Sequence, residues 1–84
     1  MTHASHPDII LRLKRAQGHL ASVIEMFAAG RPCLDLAQQL YAVEAAIARA
    51  KRELIHDHIE HCLGDSAEDA PATIRELKDI TKYL

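Results

Sequence analysis

Tryptophan is absent, the aromatic residues are only Phe27, Tyr41 and Tyr83, and glycine and proline each occur three times. A β sandwich or barrel needs aromatic and β-branched faces with many turn residues between short strands, so this composition argues against one. Two cysteines cannot build a disulfide framework. No apolar run approaches the roughly eighteen residues of a membrane-spanning helix, and no apolar signal segment opens the chain. A soluble, cytoplasmic protein is expected. What the 84 residues hold in excess is alanine, fourteen of them within a 49% hydrophobic composition, and that favours helices. At 9.3 kDa one domain over residues 1–84 is expected, in a size range where a metal or oligomerisation usually completes the core.

The net charge of -2 conceals an uneven distribution. Residues 9–52 carry seven Lys/Arg against three acids, whereas residues 53–84 carry three against eight, so a nearly neutral molecule can still present a basic face. Punctuation at Pro7, at Gly30 with Pro32, and from Gly64 to Pro71 leaves room for three helices, over about 7–29, 32–63 and 71–83. Ser5 can cap the first, with Pro7 and Asp8 in its opening turn. Its apolar positions are Ile9, Leu13, Ala16, Leu20, Ile24 and Phe27, and Gly30 ends it. The second is unusually long, with a seam of Cys33, Leu36, Leu40, Val43, Ile47, Ala50 and Leu54 in alternating steps of three and four. Gly64 to Ala70 reads as a loop, and Pro71 opens a short helix that turns Ile74, Leu77, Ile80 and Tyr83 or Leu84 inward.

Continuing the seam by steps of four from Leu54 reaches His58 and then Cys62, an imidazole and a thiol one turn apart that could share a metal. Cys33 lies on the same face but twenty-five residues away, roughly 37 Å along a helix. A second chain brings it close. If two copies of the helix pack antiparallel about a two-fold near Ile47, Cys33 of one meets His58 and Cys62 of the other, and symmetry makes two identical sites. Spacing alone leaves a metal site and a pair of buried core thiols with a core histidine side by side. His19, His56 and His61 read as exposed helix residues, and His3 and His6 as part of a frayed end.

Arg12-Leu13-Lys14-Arg15-Ala16-Gln17-Gly18-His19-Leu20, Cys33, the segment Ala37 to Val43, and His58-Ile59-Glu60-His61-Cys62 together resemble the CsoR/RcnR/FrmR family of small helical repressors, over nearly the whole chain. The resemblance implies an all-α, three-helix protomer with a long second helix in an antiparallel four-helix-bundle dimer, with two such dimers pairing as a dimer of dimers. It further implies binding to double-stranded operator DNA without a helix-turn-helix, and release when an inducer binds between subunits. Cys33, His58 and Cys62 are similar to the copper-sensing set. Two thiolates and one imidazole suit Cu(I), whereas Ni(II) and Co(II) seek more nitrogen and oxygen ligands. By the same resemblance Glu76, in Ile74-Arg75-Glu76-Leu77, hydrogen-bonds the remaining nitrogen of His58. Pro32 stands where copper sensors often place a tyrosine. A nickel or cobalt sensor using His3 or His6, and a persulfide or thiol-redox sensor joining Cys33 to Cys62, are the alternatives within the family. The presence of Cys62 argues against the formaldehyde-responsive branch.

Arg12, Lys14 and Arg15 on helix one and Arg49, Lys51 and Arg52 on helix two are the residues expected to meet DNA. Each tract alone reads as a solvated helix face; repeated on a multimer, the two form a patch able to neutralise many phosphates. The resemblance implicates Arg12 and Arg49 most directly. An enzyme is not expected, because Cys33 with His58 mimics a catalytic dyad in a chain too small to enclose a substrate. A copper storage or chaperone bundle would use the same thiolates without the basic patch.

Overall fold

The computed structural model describes residues 6–65 and 70–84, with the side chains of 62–65, 70, 71 and 73 outside the description. Helix α1 spans His6–Ala28, α2 spans Cys33–Asp65 and α3 spans Ala70–Thr81. Among the described residues there is no strand. The expected helices therefore stand, with ends displaced by one or two residues. The clearest difference is at Gly64, expected in a loop but carried within the last turn of α2. Ser5 and residues 66–69 of the expected loop lie outside the described residues.

The turn between α1 and α2 follows from one glycine. Gly30 has φ +72°, a left-handed conformation that costs an L side chain energy. There the Gly30 N–H donates to Phe27 O at 3.1 Å and the Arg31 N–H to Met26 O at 3.1 Å, the paired bonds of a Schellman stop. Pro32 then sets the start of α2, where the Leu36 N–H donates to Pro32 O at 3.1 Å. Arg31 and Asp35 pair at 3.3 Å across the first turn.

The tight turn lays α1 antiparallel along α2, as the pairing of His19 with Gln39 and of Arg12 with Glu53 records. Ile9, Ala16 and Val23 of α1 and Leu36, Val43 and Ala50 of α2 are buried along this contact. The expected seam of α2 is thus divided. Its every-seventh members Leu36, Val43 and Ala50 face the chain's own α1, while Ile47 (45% exposed) and Leu54 (39%) are left at the surface. On α1, Val23 replaces Ile24 as the buried residue, and Leu13, Leu20, Ile24 and Phe27, expected inward, are exposed. Ile55, absent from the expected seam, is buried to 2%. Ile74 of α3, expected inward, is exposed, and so are both Tyr83 and Leu84 beyond its end, one of which was expected inward, whereas Leu77 and Ile80 are half-buried.

A hairpin of two long helices with a short third is not compact. The radius of gyration is 17.3 Å, against about 12 Å for a compact domain of this length. Ile9, Leu13, Ile47, Ala50, Lys51 and Leu54 line a wholly apolar groove of about 210 Å³ on one side of the α1/α2 contact. Among the described residues no helix is long and apolar enough to cross a membrane.

Gly30→Ala forces a Cβ into the left-handed turn and should cost about 1–2 kcal/mol of stability, read from denaturant unfolding at fixed protein concentration. The space around Gly30 is open, so the loss should come from the backbone and not from a clash.

Candidate metal centre and nucleic-acid interface

Each residue of an α helix turns by about 100°, so nine residues from Arg49 to His58 amount to half a turn beyond two full ones. Arg49 and His58 consequently project to opposite sides of one helix, whereas Lys51, seven residues before His58, shares the side of His58. Cys33 and His58, twenty-five residues apart, share the other side to within about 20°.

Cys33 is the first residue of α2, with an exposed, free thiol. His58 is part-buried near the other end, its side chain 27% exposed. Its Nε2 lies 3.6 Å from Oε2 of Glu76 on α3. That separation exceeds a hydrogen bond but leaves the Nε2 edge of the ring and the carboxylate close to each other. Cys62 stands one turn beyond His58 in α2, and its side chain lies outside the described residues. Among the described residues no three His, Cys, Asp or Glu side chains of one chain gather as a ligand set. The helix rise keeps Cys33 and His58 roughly 37 Å apart, so a set including both draws on two chains. The donors suit a soft, low-coordinate ion: thiol sulfur at Cys33 and imidazole nitrogen at His58.

The basic residues divide differently from their order in sequence. Arg12, Arg15 and Arg49 converge with His19 on a hollow of about 190 Å³ whose remaining walls are Ala16 and Ala46. The two alanines keep the hollow open between the helices, and three guanidiniums at one opening give it a concentrated positive charge. Lys51 instead lines the apolar groove on the opposite side of the α1/α2 contact. Lys14 and Arg52 are exposed and line neither.

His19 was expected to be an exposed helix residue. It is half-buried and donates from Nε2 to Gln39 Oε1 at 2.6 Å, tying α1 to α2 beside the cleft. His61 is likewise half-buried instead of exposed, and His56 is exposed as expected. The pairing of His19 with Gln39 depends on the register of the α1/α2 hairpin, and no pattern within either helix marks the two as partners. His6 lies in the first turn of α1, and His3 lies outside the described residues.

The profile of the metal-sensitive transcriptional repressor family matches residues 5–83. The copper-sensing transcriptional repressor CsoR of Mycobacterium ulcerans is 39% identical over 74 residues, covering 86% of this chain and 63% of that protein. This chain thus spans less than two thirds of that relative's length. The copper-sensing transcriptional repressor CsoR of Bacillus subtilis is 36% identical over 77 residues, covering 89% of this chain and 76% of that protein. Among solved structures, the nickel-responsive transcriptional regulator InrS superposes with a TM-score of 0.85 at 28% identity, over 99% of this chain and 96% of that one.

Arg12→Ala and Arg49→Ala should each weaken duplex DNA binding by at least about tenfold at moderate salt and flatten the log-log salt dependence by about one unit, with helicity unchanged. Lys51→Ala, on the other side of the helix pair, should have the smaller effect in the same fluorescence anisotropy titration.

Proposed function

The chain belongs to the family of metal-sensitive transcriptional repressors, and we propose that it is a cytoplasmic repressor that holds operator DNA in its apo form and releases it on binding Cu(I). The observation that carries the copper reading is the donor set. Cys33 and His58 share one face of α2, Cys62 follows His58 by one turn, and His58 is faced by Glu76. The names of the copper-sensing relatives support the same reading.

The protomer works in pairs in this proposal. Two copies of α2 pack antiparallel, with Ile47 near the two-fold and the apolar groove receiving the partner helix. The exposed Leu13, Ile47 and Leu54 and the extended shape support a second copy as the missing part of the core. Cys33 of one subunit then joins His58 and Cys62 of the other in holding the ion, and pairing of dimers repeats the Arg12, Arg15 and Arg49 cleft along the duplex. When bound, Cu(I) supplies a covalent-strength bridge between subunits. Glu76 positions the His58 ring by taking its Nε2 edge, which presents Nδ1 to the site and ties the ring's orientation to α3. DNA affinity and metal affinity are then linked reciprocally.

Nickel is the second reading, favoured by the likeness to InrS over nearly the whole of both chains. X-ray absorption separates the two. Cu(I)-loaded protein should show about two sulfurs and one nitrogen at one ion per protomer, and Cys33→Ala, His58→Ala and Cys62→Ala should each impair binding. A nitrogen- and oxygen-rich, higher-coordinate Ni(II) site that loses ligands with His3 or His6 would reverse the assignment. Normal Cu(I)-driven release by His58→Ala, with Cys33 cross-linked to Cys62 of a neighbour after persulfide treatment, would make the chain a thiol sensor.

Glu76→Ala should leave Cu(I) binding largely intact. It should reduce the metal-induced loss of DNA affinity by about tenfold, and full retention of release would remove Glu76 from the switch.

A further inference from the structure

The cleft and its neighbouring hollow share a wall. On one side of Arg12 are Arg15, His19 and Arg49. On the other, a hollow of about 330 Å³ is lined by Asp8, Leu11, Arg12, Arg15 and Glu53. Glu53 reaches across from α2 and places Oε2 at 3.1 Å from Arg12 Nε. Among the described residues, Arg12 is the one member of Arg12, Lys14, Arg15, Arg49, Lys51 and Arg52 that has a carboxylate within ion-pair distance.

We propose that Glu53 is an internal stand-in for a DNA phosphate: it occupies Arg12 in the free protein and must be exchanged for a phosphate oxygen when duplex binds. The inference rests on the reading of the Arg12, Arg15 and Arg49 cleft as the duplex-binding surface. Three features support exchange. Both side chains keep contact with water, at 43% and 37% exposure, so the pair is weak and readily displaced. Glu53 binds the Nε edge, and a guanidinium grips a phosphate bidentately through two adjacent N–H groups, so releasing Glu53 restores the Nε/Nη edge. Glu53 also follows Arg49 by four residues on α2, which puts its negative charge beside two cleft arginines at once.

The pair stays accessible in the proposed dimer. Glu53 and His58 are five residues apart, about 140° around α2, so pairing through the ligand face does not cover Glu53. The carboxylate repels every phosphate of any duplex, so it lowers loose, sequence-independent binding and leaves the operator to supply the difference.

The test uses the full apo chain and a fluorescently labelled mixed-sequence duplex, titrated by anisotropy over a range of salt. Glu53→Gln should tighten binding about two- to fivefold and steepen the salt slope by about one unit. In an Arg12→Ala background, the same change should alter affinity by less than about twofold. Equal tightening in both backgrounds would mean plain removal of a negative charge and would overturn the exchange. Weakening by Glu53→Ala with recovery in Glu53→Gln would overturn it too, making Glu53 a residue that orients Arg12. Parent-like binding by Arg12→Ala, Arg15→Ala and Arg49→Ala together would instead sink the duplex-surface reading itself, and circular dichroism on each variant separates these outcomes from misfolding.

Discussion

Everything else in the molecule is arranged around the line along which α1 packs antiparallel on α2. Ile9, Ala16 and Val23 are buried from one helix and Leu36, Val43 and Ala50 from the other. The alanines bring the two backbones close, and a close contact needs only a narrow strip of each helix. Two flanks of α2 are left over. One carries Arg49 and Glu53 beside Arg12, Arg15 and His19; the other carries Ile47, Leu54 and, continuing the same face, Cys33 and His58. A wider contact would have buried one of these flanks.

Helices, their order and their turn were legible because each has a local cause. Gly30 with Pro32 stops one helix and starts the next, and the alternating steps of three and four mark a helix packed along its length. What the periodicity could not do was separate two partners. A repeat of threes and fours marks both the positions facing α1 and those beside them, so Leu36, Val43 and Ala50 looked equivalent to Leu40, Ile47 and Leu54. The same ambiguity exchanged Val23 with Ile24 and left Ile55 out, since one residue is only about 100° of rotation. The site divided along similar lines. Same-face relations within α2 were legible from spacing, and so was the need for a second chain to bring Cys33 to His58. Contacts between helices were not: the His19 bond to Gln39 and the Glu53 pairing with Arg12 depend on the hairpin's register, which no single helix specifies.

Opposed faces on one helix limit how a ligand can act on DNA in the proposed function. Arg49 and His58 are about 14 Å apart along α2 and half a turn around it, so no side chain spans both. A change at His58 must therefore reach the cleft as movement of a whole helix, a rotation of α2 or a shift of α2 against α1. The cleft is built to register such movement because its arginines come from both helices, Arg12 and Arg15 from α1 and Arg49 from α2. A patch confined to one helix would ride along unchanged. In the protein free of DNA two polar ties oppose the movement, His19 to Gln39 at 2.6 Å and Arg12 to Glu53 at 3.1 Å, and on the duplex the first of them remains. Each is of a kind worth about 1 kcal/mol or less once solvent is allowed for. Their sum falls within the roughly 1–3 kcal/mol of ordinary coupling between sites, so the helix pair can hold one arrangement without ligand and yield it to another.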